Sequence, residues 1–129
     1  MHPMKRKRHN GQKFNLKVGR SRTSRGLFAL ETIKRGLRIV EYTGRPLKSG
    51  EEYTSRSKFL FEISRTKTID GAVRSNAARY INHSCAPNCR AENTGRRIFI
   101  VARRGAALDS PLAIPAPPEA RPCRAELVG

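Results

Sequence analysis

The feature that most constrains this chain is a polar stretch at residues 78–89, which reads ARYINHSCAPNC. Pro87 restricts the residue before it to extended conformations and cannot continue a helix. Asn82, His83 and Ser84 favour helix caps and turns, where their side chains bind backbone groups. The stretch therefore predicts a short helical turn over residues 77–81, followed by a tight polar loop. Such a loop either connects two elements or gathers groups around a ligand, and these residues alone do not decide between the two.

Length and charge bound the remaining choices. The 129 residues are enough for one domain with one modest core. Lys and Arg number 27 against 10 Asp and Glu, so the formal net charge is +17. This excess favours an acidic partner, first of all nucleic acid or chromatin, although a solvated basic surface would carry the same charge. No apolar run approaches the length of a membrane span, so no membrane partner is expected.

The cysteines predict a reducing compartment. Cys85, Cys89 and Cys123 form an odd set, and no signal peptide is recognised before them. A disulfide framework is therefore not expected, and a cytoplasmic location, or a nuclear one in a eukaryote, is favoured.

Both ends of the chain differ in composition from its middle. Residues 1–13 hold the run Lys5, Arg6, Lys7 and Arg8, which predicts a disordered tail. This tail either binds phosphates non-specifically or is an unstructured end. Residues 105–129 are rich in proline and alanine, which predicts extended, poorly ordered chain. The expected domain thus covers residues 14–104.

Within that domain the pattern is mainly β. Short apolar runs predict strands at 26–29, 37–43, 59–63, 68–71 and 98–102, separated by turns that contain Gly and Pro. Ser49 is a good N-cap, and Glu51 and Glu52 would lie near the positive end of a helix dipole, so a helix is predicted over residues 50–57. These elements predict a mainly β fold with a few short helices.

Several segments together resemble the SET domain, the fold of S-adenosylmethionine-dependent protein lysine methyltransferases. The first two are SRGLFA at 24–29 and IVEYTG at 39–44. FLFEI at 59–63 and IDG at 69–71 follow, and the most specific is NAARYINHSC at 76–85, continued by Pro87, Asn88 and Cys89. The resemblance covers residues 19–104, about two thirds of the chain.

The resemblance implies a β-clip-like fold and a cofactor site. Its fold contains a pseudoknot in which the C-terminal end of the chain threads past the segment at 82–85. S-adenosylmethionine is the implied cofactor. The residues carried over to its site are Arg25, Gly26 and Leu27 through their backbone, Asn82 and His83 as direct contacts, and Arg79 and Tyr80 as the frame of the pocket. Ser24 stands where the family usually has glycine.

The chain departs from the family near its end. The family has a tyrosine-containing motif there, and one of its tyrosines is treated as catalytic, whereas no tyrosine follows Tyr80 here. The catalytic residue is therefore unknown, and the pseudoknot is expected to be incomplete. Tyr42 is interpreted as core or channel wall, and Phe59 stands where many family members have a tyrosine.

A zinc site is not expected. In many relatives the cysteine of the NHSC motif binds zinc with three cysteines of a C-terminal extension, but only Cys123 lies in the corresponding part of this chain. A closed structural zinc site needs four ligands. Cys85 is therefore interpreted as a small buried hydrophobic residue.

The resemblance implies a protein-lysine methyltransferase with a lysine-containing protein as substrate. Two alternatives stay open, a SET-derived binding module without activity and a basic protein associated with nucleic acid or chromatin. Non-specific nucleic-acid binding through the N-terminal tail and a homodimer are the further partner interactions considered.

Overall fold

The computed structural model describes residues 14–20 and 24–116. This part of the chain forms short strands and two 3₁₀ helices, Glu51–Tyr53 and Ala77–Tyr80. The predicted mainly β fold is confirmed. The strands in chain order are β1 (Leu16–Arg20), β2 (Arg25–Ala29), β3 (Arg38–Tyr42), β4 (Arg45–Pro46), β5 (Leu60–Ser64), β6 (Lys67–Asp70), β7 (Asn82–Ser84), β8 (Cys89–Asn93), β9 (Ile98–Ala102) and β10 (Ala113–Pro115).

The strands form small sheets that are mostly antiparallel. β1 pairs with β2, β9 lies between β3 and β8, and β6 lies between β4 and β5. β7 and β10 pair in parallel, with Asn82 opposite Ala113 and Ser84 opposite Pro115. Because these two short strands are far apart in sequence, their pairing brings the polar stretch and the C-terminal segment together.

The core is built around β9. All five of its residues are buried, as expected for an apolar run in the central strand of a sheet covered on both faces. Leu27 of β2, Ile33 and Leu112 are fully buried in the same hydrophobic cluster as Ile98 and Ile100. The core thus joins the β1–β2 hairpin, the central sheet and the segment that precedes β10.

The predicted helix at 50–57 is wrong in length and in its cap. The 3₁₀ helix spans only Glu51–Tyr53, and its N-cap is Gly50 in the left-handed region (φ 83°), with no side-chain cap. Ser57 instead accepts from the amide of Phe59 at 3.1 Å and donates to Asp70 at 2.6 Å. Polar side chains that bind nearby backbone compete with helix extension, which explains the early end.

β1 is not among the predicted strands, because Lys17, Gly19 and Arg20 leave it without an apolar run. Leu16–Arg20 pairs with β2 over its whole length, from Leu16 opposite Ala29 to Arg20 opposite Arg25. The strand forms because pairing with β2 supplies its backbone hydrogen bonds, and the residues of β1 alone do not predict this pairing.

The chain after Arg104 differs from the unpacked segment that we expected. Ala106 and Leu112 are buried, Ile33 and Ala106 exchange two 2.8 Å backbone hydrogen bonds, and β10 follows. Packed chain therefore continues through Ala116, past the expected boundary. The remainder of the Pro/Ala-rich segment, residues 117–129, and the basic tail at 1–13 lie outside the described residues, so their predicted disorder stays a prediction.

Among residues 14–20 and 24–116, no helix is long and apolar enough to cross a membrane.

Candidate functional site

The C-terminal segment lies between the two segments that the sequence assigned to a cofactor site. The amide of Leu112 donates to the carbonyl of Leu27 in β2 at 2.8 Å, and the amide of Asn82 donates to the carbonyl of Leu112 at 3.4 Å. A single residue thus bridges the glycine-containing strand and the polar stretch. The two segments lie about two strand spacings apart, roughly 10 Å.

Asn88 holds this segment in place. Its side-chain Nδ2 donates to the carbonyl of Pro111 at 2.9 Å, and its Oδ1 accepts from the amide of Ala113 at 2.9 Å. Beyond β10 the amide of Ala116 donates to the carbonyl of Ser84 at 3.2 Å. The described chain therefore supplies a strand beside β7, although this strand lacks the tyrosine that the resemblance implies.

The guanidinium groups of Arg25 and Arg79 both lie near the ring of Tyr80 and form a cationic cluster with it. The guanidinium carbon of Arg79 lies 4.6 Å from the centroid of the Tyr80 ring, and that of Arg25 lies 5.9 Å from it. Arg79 also donates to the Tyr80 hydroxyl and to the carbonyl of Val73. The hydrogen bond from Arg79 lowers the pKa of Tyr80, and the positive charges of Arg79 and Arg25 act in the same direction. This cluster favours an anionic group.

Asn82 and His83 alternate along β7, so their side chains leave the strand in opposite directions. Asn82 is half-buried, and its side-chain amide has no hydrogen-bond partner within the described residues. The His83 side chain is exposed. A ligand that contacts the side-chain amide of Asn82 could therefore contact only the backbone of His83, and not its imidazole.

The three residues of the first motif are placed differently from one another. Arg25 is exposed, Gly26 is buried, and Leu27 is fully buried with its carbonyl bonded to Leu112. A shallow cleft at this hairpin is lined by Val18, Gly19, Arg20, Ser24 and Arg25. The structure thus brings Arg25 together with Arg79 and Tyr80, whereas the Leu27 side chain belongs to the core.

Tyr42 belongs to the core. Its hydroxyl donates to the carbonyl of Phe59 at 3.0 Å, and its ring lies 5.3 Å from that of Phe61, centroid to centroid. Burial raises the pKa of Tyr42 to about 12, with a smaller contribution from Asp70. A β-carbon added at Gly71 would lie 2.5 Å from the Tyr42 ring, so the ring needs a glycine at that position. The phenol is neutral, buried and already bonded.

The cysteines correct one interpretation. Cys85 is half-buried, so it is not the small buried hydrophobic residue that we expected. Cys89 is buried with a free thiol, and burial raises its pKa to about 11. Within the described ranges no three His, Cys, Asp or Glu side chains converge as a metal site would require. Cys123 lies outside these ranges, and the absence of zinc stays a prediction.

The sequence did not identify the roles of Asn88 and Leu112. Asn88 was part of the quoted motif, but its two bonds to residues more than 20 positions away have no local signature. Leu112 is one apolar residue in a segment interpreted as unpacked. The one local signal for its burial is that Leu112 begins a short apolar run directly after Pro111.

Comparisons with known proteins agree with this geometry. Residues 24–114 match the SET domain family. The chain is 43% identical over 102 residues to the histone-lysine N-methyltransferase set-2 of Caenorhabditis elegans, covering 68% of this chain and 7% of that protein. It is 36% identical over 104 residues to an H3 lysine-4 specific histone-lysine N-methyltransferase of Neurospora crassa, covering 67% of this chain and 8% of that protein.

The fold is also found among solved structures. A humanized mutant of the Chaetomium thermophilum Polycomb Repressive Complex 2, bound to the inhibitor GSK126, matches with a TM-score of 0.69 and 28% identity. The match covers 81% of this chain and 15% of that one. The chain thus spans a small part of the proteins to which it is similar. Since the family match extends over most of the chain and includes both segments of the candidate site, the chain belongs to the SET domain family.

Proposed function

We propose that this chain is the cofactor-binding domain of a protein-lysine methyltransferase, with S-adenosylmethionine held between β2 and the segment that contains Arg79, Tyr80 and Asn82. The observation that carries the proposal is the bridge made by Leu112, which holds the Leu27 and Asn82 backbones together. The similarity to histone-lysine methyltransferases supports it.

The residues of the site fit the chemistry of this cofactor. Arg25 and Arg79 present positive charge that suits the carboxylate of the methionine moiety. The half-buried side-chain amide of Asn82 offers both a donor and an acceptor, and neither has a protein partner among the described residues. Gly26 and His83 would contribute through their backbone. When bound, S-adenosylmethionine supplies an activated methyl group on its sulfonium.

The partner of this site is a lysine side chain of another protein. A lysine amine must lose its proton before it attacks, and a channel that excludes water lowers its pKa by disfavouring the charged form. Holding the amine in line with the methyl group would supply much of the rate. Because the similar proteins named above are histone-lysine methyltransferases, one of them specific for H3 lysine 4, we propose a histone as substrate and the nucleus as location.

A second candidate is a binding module without turnover, and the tyrosines favour it. The three tyrosines are Tyr42, Tyr53 and Tyr80. Tyr42 is buried and bonded to Phe59, Tyr53 is 84% exposed, and the hydroxyl of Tyr80 is bonded to Arg79. The segment at 109–116 contains β10, which pairs with β7, and offers no phenol. Methyl transfer by this chain would therefore need a group that is not a tyrosine of this segment.

Two measurements on the purified chain separate these proposals. Isothermal titration calorimetry with S-adenosylmethionine tests the site, and transfer of radiolabelled methyl groups to core histones tests turnover. Binding with transfer supports the methyltransferase, and binding without transfer supports the inactive module. Absence of binding at millimolar cofactor, with a cooperative unfolding transition that shows a folded chain, would contradict both.

A further inference from the structure

Two exposed turns at one end of the central sheet each carry two adjacent cations. Lys34 and Arg35 lie in the turn before β3, and Arg103 and Arg104 lie in the turn after β9. All four residues are exposed. We call this set the double-turn patch.

Backbone hydrogen bonds hold the two turns side by side. On one side Ile33 and Ala106 exchange two hydrogen bonds of 2.8 Å. On the other side the amide of Gly36 donates to the carbonyl of Ala102 at 2.8 Å, and the amide of Ala102 donates to that of Leu37 at 3.0 Å. The four cations lie between these two sets of hydrogen bonds, so the backbones of the two turns are about 5 Å apart. The fold thus concentrates charge that the sequence places almost 70 positions apart.

The patch side chains take no part in the ion pairs formed among the described residues. Other arginines are neutralised: Arg38 pairs with Glu92 at 2.8 Å, and Arg97 pairs with Glu41 at 2.8 Å. None of the four patch side chains forms an ion pair within residues 14–20 and 24–116.

We propose that the double-turn patch binds the phosphate backbone of nucleic acid. Phosphate contacts need exposed cations and release counterions, and they require no apolar contact area. A stable acidic protein partner would need an apolar interface core, and no patch residue is apolar. Three of the four are arginines, whose planar guanidinium groups suit phosphate oxygens. The proposal is independent of cofactor binding and differs from binding through the basic tail.

Fluorescence anisotropy of a labelled duplex DNA, titrated with the full chain at several salt concentrations, tests the proposal. The patch variant is Lys34→Gln/Arg35→Gln/Arg103→Gln, which leaves the Arg104 bond to the carbonyl of Ala86 intact. The matched control is Arg56→Gln/Lys58→Gln/Arg65→Gln, three exposed cations elsewhere. A third variant replaces Lys5, Arg6, Lys7 and Arg8 with Gln.

The slope of log affinity against log salt should fall by about 2 to 3 in the patch variant, since each lost phosphate contact removes about 0.9. The control should change it by less than about 1. Equal effects of the patch and control variants, loss of binding only in the tail variant, or no salt-dependent binding of the parent chain would overturn the proposal. Competition by polyglutamate as effective as competition by unlabelled DNA would overturn it in favour of an acidic protein partner.

Discussion

The amide of Leu112 donates to the carbonyl of Leu27 across 2.8 Å, and this bond joins residues 85 positions apart. Both side chains are fully buried. The carbonyl of Leu112 accepts from Asn82 on its other side, so the residue is a structural bridge between the two halves of the candidate site. The stability of the domain and the shape of the site should therefore depend on the same residue.

Leu112→Ala should lower the free energy of unfolding by about 2 to 5 kcal/mol, because it removes a fully buried side chain and leaves a cavity. Urea unfolding followed by circular dichroism measures this change. Leu108→Ala is the control, since Leu108 is 57% exposed and its loss should stay within about 0.5 kcal/mol. Equal effects of the two substitutions would show that the C-terminal segment is not packed as described.

Asn88→Ala should destabilise the fold by about 1 to 3 kcal/mol, because the carbonyl of Pro111 and the amide of Ala113 both lose their partner. The same substitution should weaken cofactor binding, since the bridge would be less firmly held. Urea unfolding and calorimetry measure the two effects. Asn15→Ala is the matched control, because the amide of Asn15 and not its side chain bonds Glu31.

Gly71→Ala should destabilise the domain by about 1 to 3 kcal/mol through overpacking. The added β-carbon would lie 2.5 Å from the Tyr42 ring, which is held between Phe61 and the carbonyl of Phe59. Gly105→Ala is the control, because its nearest contact would be 3.5 Å from the carbonyl of Ile33. Thermal unfolding of both variants compares them, and a tolerated alanine at position 71 would contradict the described packing.

The pKa of Tyr42 predicts a loss of stability in alkali. It is about 12 in the folded chain, above the ordinary value of 10.0. Between these values the Tyr42 phenol is ionised in the unfolded chain and still protonated in the folded chain. The contribution of the neutral phenol to the free energy of unfolding is therefore complete below pH 10 and is lost as the pH rises through 12. Urea unfolding at increasing pH should show this loss in the parent chain and a weaker one in Tyr42→Phe.

Ultraviolet titration of the phenolates tests the raised pKa of Tyr42 independently of unfolding. The chain has three tyrosines and no tryptophan, so the phenolate signal is simple. The phenol of Tyr80 should ionise before that of Tyr42, because Arg79 and Arg25 lower the pKa of Tyr80 while burial raises that of Tyr42. Tyr80→Phe should therefore remove an earlier part of the titration curve than Tyr42→Phe. The reverse order would contradict the positions of both rings.

Asn82→Ala should weaken S-adenosylmethionine binding by about 5- to 150-fold, as expected when about 1 to 3 kcal/mol of hydrogen bonding to a ligand is lost. Stability should change little, since the Asn82 side chain has no partner within the described residues. Calorimetry measures the affinity. Unchanged affinity in a folded variant would remove Asn82 from the site, whatever the result for turnover.

Local patterns predicted the elements whose own residues determine them. The apolar run at Ile98–Ala102 forms the predicted strand with the predicted bounds, and the helical turn beginning at Ala77 is present. Residues whose structure depends on a distant partner were not predicted. The polar residues of β1 form a strand because β2 lies beside them. The 3₁₀ helix Glu51–Tyr53 ends early because the Ser57 side chain accepts from the backbone of Phe59 and is held by Asp70.

The sequence by itself determined the family, through motifs whose order and spacing survive without the C-terminal tyrosine, and it named the segments of the candidate site. Only the tertiary structure decided that the segment after Arg104 packs. The reason is physical: the hydrogen bonds of Leu112 and Asn88 join residues that are distant in sequence, and burial of one leucine offsets the local preference of a proline-rich segment for extended, solvated chain. The same long-range pairing brings Lys34 and Arg35 beside Arg103 and Arg104.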